Sequence, residues 1–311
     1  MRYDDVSLVI CTRERPEMLR TALESFRANT PADVQILVVD SASTTSQTRE
    51  VARDVGVDYV RTDTRGLSIA RNVGLRTSQR PIVVFTDDDC QAIEGWLEPL
   101  LDHFDDLTVA SVTGTMLDHT LVGRPREARP IRRFTRTTAG IDAGHGAIMA
   151  FRREYVLGLG GFDPVLGAGR KLAGAEDLDI FCRMLYVGHQ IVSDPGCVVL
   201  HVNTREDAAY TKLHRGYGLG LGALTNKWLR MHTREGVMLA AIVLKRTISR
   251  IVRERADARR RNADVALLRG FLRGILIATS LRRVGTVFVD AHPPTPIALR
   301  EAENENGGSA Q

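Results

Sequence analysis

Five residues, Ile82-Val83-Val84-Phe85-Thr86, carry no charge and give way at once to three aspartates, Asp87-Asp88-Asp89. A β-branched and aromatic run of this kind fills a strand buried on both faces, which occurs where helices cover both sides of a sheet. Such a strand needs parallel neighbours, and the sequence offers them: Val6 to Cys11, Ile36 to Val39 and Val57 to Val60 are further apolar stretches. The segments between them read as helices. Pro16 suits a first helical turn, Leu19, Ala22, Leu23 and Phe26 share one face, and further helices are predicted near Ser46 to Val55 and Leu67 to Thr77. Through residue 113 the pattern is an open α/β sheet, mostly parallel, with polar loops after its strands.

Further on, Ile93, Leu97, Leu100, Leu101 and Phe104 mark a helix, and Val109 to Val112 a strand. Arg124 to Arg136, with Pro125 and Pro130, reads as a loop, and Gly144 to Phe151 returns to apolar sequence. A glycine-rich stretch from Gly158 to Gly174 leads to Glu176-Asp177, where a helix should begin with Leu178, Phe181, Cys182 and Leu185 inward and Gly188 as its stop. Val198 to Leu200 resumes the sheet and ends on His201. Beyond Tyr210 the sequence reads as helix, although Gly216, Gly218, Gly220 and Gly222 are unusual there. The chain therefore divides into a catalytic domain over 1–205, a helical extension over 206–292 and a disordered tail over 293–311.

With 43% hydrophobic and 26% charged residues, this is a folding composition rather than a disordered one. Cys11, Cys90, Cys182 and Cys197 are scattered, with neither zinc-site nor disulfide spacing, and the three that sit inside or beside apolar runs read as buried thiols. The first apolar segment is six residues long, so no secretory signal is expected and a reducing, cytoplasmic compartment is the simplest expectation. Gly236 to Leu244 is nine residues, short of the roughly 20 that span a bilayer. From Lys245 to Arg261 there are eight basic residues against two acidic ones, beside Ile242, Val243, Ile248, Ile251 and Val252. That mixture suits peripheral association with the inner face of an anionic membrane, packing on the catalytic domain, or a homo-oligomer interface.

Three adjacent carboxylates raise one another's pKa unless a cation or solvent compensates. After a buried strand they sit where open α/β sheets bind ligands. Asp87 and Asp89 can converge on one hard cation, Mn²⁺ or Mg²⁺, while Asp88 points elsewhere, and such an ion bridges to a diphosphate. Asp40, ending another strand, can accept hydrogen bonds from a base or ribose, or shape its own turn. Thr12 and Arg13 follow the first strand; Arg13 and Arg71 can meet phosphate or form surface ion pairs. Asp177, beside Glu176, can remove a proton from a hydroxyl or simply cap its helix. His201 can be a metal ligand or structural, and His145 borders the same region without an assigned role.

Taken together, LVICTRERPEMLRTALESF, ILVVDSAS, GLSIARNVGL, VVFTDDDC, GGFDPVL and GAEDLDIFCRMLYVGHQI resemble, in order and spacing over about residues 5 to 203, the inverting family 2 glycosyltransferases of GT-A fold. The resemblance implies a Rossmann-like, mostly parallel sheet with flanking helices. It implies a divalent metal held by Asp87 and Asp89, with His201 at a position where some members place a metal-coordinating histidine. Thr12, Arg13, Asp40, Arg71, Asp88 and Glu176 would line the nucleotide-sugar pocket, and Asp177 would be the base. Ser41-Ala42-Ser43 departs from the Asp-Gly or Asn-Ser that often follows the nucleotide-binding aspartate. The partners so implied are a nucleoside-diphosphate sugar and a hydroxyl acceptor, on a lipid-linked glycan or polysaccharide. Two other classes fit parts of the chain. A nucleotidyltransferase would use the same carboxylates but should carry a Gly-rich loop with a lysine where this chain has Thr12-Arg-Glu-Arg15. A basic nucleic-acid binder would explain the arginines but not the ordered carboxylates, so no nucleic-acid partner is expected.

Overall fold

The computed structural model describes residues 2–121, 129–202 and 207–300. Four strands and their crossover helices form the first half: β1 (Val6–Thr12), α1 (Pro16–Asn29), β2 (Gln35–Ser41), α2 (Gln47–Val55), β3 (Asp58–Thr62), α3 (Leu67–Thr77) and β4 (Ile82–Asp87). Then follow β5 (Cys90–Ala92), α4 (Glu98–Leu101), β6 (Val109–Asp118), β7 (Arg132–Phe134), β8 (Ile148–Arg152), α5 (Arg153–Gly158), α6 (Glu176–Tyr186) and β9 (Gln190–His201). Three long helices, α7 (Asp207–Met231), α8 (Thr233–Arg253) and α9 (Ala258–Thr279), precede a small hairpin of β10 (Arg283–Val284) and β11 (Val287–Phe288).

The main sheet runs β3-β2-β1-β4-β8-β6-β9-β5, with β7 also on β9. It is mixed rather than mostly parallel. β1 to β4 pair in parallel, but β8 is antiparallel to both β4 and β6, and β5 and β7 are antiparallel to β9. Helical crossovers return the chain to the same end of the sheet. The tight turn after β4 and the excursion before β8 bring it back reversed. Alternation on β1 divides the core: Val6, Leu8 and Ile10 pack with α1 and α2 on one face, while Val9 packs with α3 and α6 residues on the other.

Several expectations change. The helix expected across Ile93 to Phe104 is only α4 and a 3-10 turn, Asp102–Asp105. Pro99 lacks an amide hydrogen and is tolerated only in a first turn, so the helix starts beside it. β9 begins eight residues before Val198 because β6 pairs with it along its length. Part of the stretch read as a loop from Arg124 forms β7, and residues 122–128 lie outside the described residues. Residues 293–300 are not loose: Ile297 donates to the Asp63 carbonyl at 2.8 Å, Arg300 to the Thr44 carbonyl at 2.8 Å, and Arg61 to the Ile297 carbonyl at 2.7 Å. The rest of that tail, 301–311, lies outside the described residues.

The glycines of α7 have a packing reason. A side chain on Gly218 or Gly222 would collide with backbone of α9, and one on Gly270 or Gly274 with backbone of α7. The two helices thus touch backbone to backbone. Gly220 faces Gly174 in the same way, so α7 also lies against the loop that enters α6.

Candidate active site

Two strand-end loops and the loop that enters α6 hold strained backbone. Glu14 after β1, Ala42 after β2 and Ala175 before α6 have φ of 54°, 63° and 61°, and among the described residues they are the non-glycine residues with positive φ. Non-glycine residues avoid this region unless their surroundings over-determine it. Cross-links do that here. Glu14 donates its amide to Ser43 Oγ (3.0 Å) and accepts from the Thr44 amide (2.8 Å), tying the first two loops together.

Asp40 is fully buried at the end of β2. One oxygen accepts from the Ser43 amide (2.8 Å) and the other from Tyr59 (3.0 Å), so this carboxylate shapes the loop. Thr12 is buried and donates to Asp88 Oδ2 at 2.7 Å, while Arg15 holds Asp88 Oδ1 at 3.0 Å and stands 3.6 Å from Asp89. Asp88 therefore turns inward with both oxygens engaged. Burial raises its pKa, and Thr12 and Arg15 oppose the shift. Arg13 remains beside Glu14, 3.8 Å away, with its Nε buried and unpartnered.

Asp87 and Asp89 meet different neighbours. Asp89 Oδ2 is 3.5 Å from His201 Nε2, because β5 and β9 set Cys90 opposite His201. Asp87 Oδ1 is 3.7 Å from Arg71, and its side chain keeps 36% of its surface exposed. Even so, burial raises its pKa, with Arg71 opposing. Among the described residues no group of three or more His, Cys, Asp or Glu side chains is arranged around one ion. The donors still suit a small hard cation. Neighbouring ligands of an octahedral ion stand about 3 Å apart, and such ions are commonly held by one or two carboxylates plus substrate phosphates. A cleft of about 350 Å³ lined by Met18, Asp88, Asp89, Gln91 and Val202 opens beside them.

Arg71 is 2% exposed, an interior hub rather than a surface cation. It donates to Glu176 Oε1 (2.8 Å) and the Gly146 carbonyl (3.2 Å), and lies 6.0 Å from the Phe85 ring and 5.6 Å from the Phe162 ring. Its neighbours on α3 are equally committed. Ser68 donates to the Leu166 carbonyl, and Asn72 exchanges two hydrogen bonds of 2.8 Å with the backbone of Phe162. The Arg71–Glu176 pair thus joins the β4 end to the start of α6. Asp177 receives backbone donors from Leu178 and Gly146, yet burial raises its pKa, and Glu176 is raised by burial and by Asp177. A carboxylate so shifted holds a proton more firmly than an exposed one.

Other residues gather here without a local sequence signal. Lys227 of α7 is fully buried, 2.8 Å from Asp163 and 2.6 Å from Asp179, and Arg183 pairs with Asp179 at 2.9 Å. Arg15 could have been noticed only as the cation nearest Pro16. His145 is largely buried near Asp87 and His201, and burial lowers its pKa.

Comparisons with known proteins show what the chain is similar to. The family described as Glycosyl transferase family 2 matches residues 7–156. The chain is 26% identical over 217 residues to the pre-mycofactocin glycosyltransferase of Mycobacterium tuberculosis, covering 64% of this chain and 43% of that protein. It is 26% identical over 227 residues to the glucosyl-dolichyl phosphate glucuronosyltransferase of Haloferax volcanii, covering 68% and 67%. The chain thus spans less than half the length of the first relative. Among solved structures, the mannosyltransferase PcManGT from Pyrobaculum calidifontis, in complex with GDP-Man and Mn²⁺, superposes with a TM-score of 0.61 at 20% identity over 87% of each chain.

Proposed function

We propose that this chain, a GT-A protein related to the family 2 glycosyl transferases, moves a sugar from a nucleoside-diphosphate sugar to an acceptor hydroxyl with inversion at the anomeric carbon. The observation that supports the reading is the buried Arg71, 3.7 Å from Asp87 and 2.8 Å from Glu176, which ties the carboxylate at the end of β4 to the Glu176-Asp177 start of α6. Thr12, Arg13 and the loop shaped by Asp40 form the nucleoside side. Asp87, Asp89 and His201 would hold a divalent ion. Bound there, Mn²⁺ or Mg²⁺ supplies charge compensation for the departing diphosphate.

Asp177 takes the acceptor hydroxyl proton. The freed oxygen forms a bond to the anomeric carbon from the face opposite the diphosphate, the carbon–oxygen bond to phosphate breaks, and the electron pair leaves with the nucleoside diphosphate. Backbone donors from Leu178 and Gly146 aim the carboxylate, and Arg71 holds Glu176 in place beside it through a 2.8 Å hydrogen bond. A lipid-linked or polysaccharide acceptor fits the basic C-terminal helices. The test is a panel of nucleotide-sugars with either metal, reading released nucleoside diphosphate and the product's anomeric configuration by NMR. Asp89→Ala should lose metal-dependent turnover and calorimetric Mn²⁺ binding while keeping its melting temperature. A product of retained configuration, or full activity in Asp177→Asn, refutes the reading.

A further inference from the structure

Helix α8 has an unpartnered outer face. Its inner face is anchored: Leu239, Val243 and Thr247 are buried, and Arg246 pairs with Asp142 in the 3-10 turn Thr137–Asp142 that packs on α6. The outer face carries Val237, Met238, Ile248 and Val252, each between 42% and 63% exposed. At 100° per residue these form one stripe, with Lys245 on it, and span about 22 Å of helix. Isolated exposed apolar residues need no explanation; four on one helical face do.

A second feature flanks the stripe. A groove of about 510 Å³ is lined by Ile242, Lys245, Arg246, Ser249, Arg250 and Arg253. Arg246 and Arg250 are partly neutralised by Asp142 and Asp264. Lys245 and Arg253 meet no carboxylate among the described residues. The groove therefore presents uncompensated positive charge and a hydroxyl, the chemistry that holds a phosphate monoanion. An apolar stripe beside a cationic groove matches the acyl-to-headgroup boundary of a bilayer. No helix among the described residues is long and apolar enough to cross a membrane, so α8 would lie on the surface.

We infer that the outer face of α8 docks on an anionic lipid bilayer, phospholipid phosphates entering the Lys245–Arg253 groove while Val237, Met238, Ile248 and Val252 enter the acyl boundary. This rests on the glycosyltransferase reading only for its purpose, to bring the cleft to a lipid-linked acceptor. The test is co-sedimentation of the full chain with phosphatidylcholine vesicles, with and without phosphatidylglycerol, in 0.1 M salt. Retention is expected on the anionic vesicles alone. Each basic residue contributes about a fivefold change in partitioning, so Lys245→Gln with Arg253→Gln should lower retention about 25-fold, with unchanged melting temperature. Ile248→Ser with Val252→Ser should also lower it. The inference is overturned by absent retention, by equal retention of wild type and both variants, or by inorganic diphosphate binding the groove of a protein that ignores vesicles. It is equally overturned by a dimer that Ile248→Ser with Val252→Ser dissolves while vesicles retain nothing. Sugar transfer without vesicle binding sinks this inference alone, and vesicle binding without transfer sinks the enzymatic reading alone.

Discussion

Replacing Lys227 with Met should loosen the link between the C-terminal helices and α6. The Lys227 ammonium is fully buried between Asp163 and Asp179, and both carboxylates are also fully buried. Methionine matches the length of the lysine stem but leaves two interior anions with one cation, Arg183, which lies on the Asp179 side. Breaking a buried ion pair by removing one partner costs about 3–5 kcal/mol. The lower end is expected, because Asp163 still accepts from the amides of Phe288 (2.9 Å) and Val165 (3.2 Å), and Asp179 keeps Arg183. At about 2–3 °C per kcal/mol for a chain of this size, the melting temperature should fall about 6–9 °C. Calorimetry with Lys245→Met as an exposed control reads this directly. Pairing Lys227→Met with Asp163→Asn should recover part of the loss, since one stranded charge is then gone. A fall under about 2 °C, or no recovery, would refute the claim that this ion balance holds α6.

Because burial raises the Asp177 pKa, the acid limb of kcat should lie above the ordinary carboxylate value of about 4, with rate rising as the base ionises; a limb at or below 4 contradicts the assignment. The same sign bears on stability. A carboxyl raised in the folded state contributes stability fully present below its unfolded pKa and lost as pH rises through the folded one, so wild type should lose more stability than Asp177→Asn on going from acid to neutral pH. All four cysteines are buried, and burial pushes the Cys11 thiol up to about 12 and those of Cys90, Cys182 and Cys197 up as well. Ellman's reagent should therefore label none in the native protein and four after unfolding, and one fast-reacting thiol would contradict this packing.

The first half of the fold was legible because buried parallel strands announce themselves as continuous apolar runs, and α3 and β4 lie where those runs place them. β8 was not legible as antiparallel, since its direction depends on how the excursion before it re-enters the sheet. The glycines of α7 looked like weakness in a helix because their purpose lies on α9 and on Gly174. Site residues divide the same way. His201 beside Asp89 follows from strand ends, which sequence reveals. Arg71 reads from sequence as meeting phosphate or a surface ion partner, because nothing local shows that it is buried against Glu176, 105 positions away. Lys227, Asp163, Asp179 and Arg183 were invisible for that reason, each reading alone as an ordinary surface charge.

Those hidden residues explain how the visible ones are tolerated. The cleft concentrates local costs: three non-glycine residues in left-handed backbone, and Asp87, Asp88, Glu176 and Asp177 all with raised pKa. Left alone, such loops relax and such carboxylates drift apart. Arg71 stops this at the β4 end. At α6 the restraint comes from outside the sheet, through Lys227 on Asp179 and through Gly220 seated against Gly174, one residue before the strained Ala175. The helices after residue 205 therefore pack directly on the elements before it. Helix α7 supplies a buried cation and a backbone surface that brace the start of α6, so removing either should loosen the segment that carries Asp177.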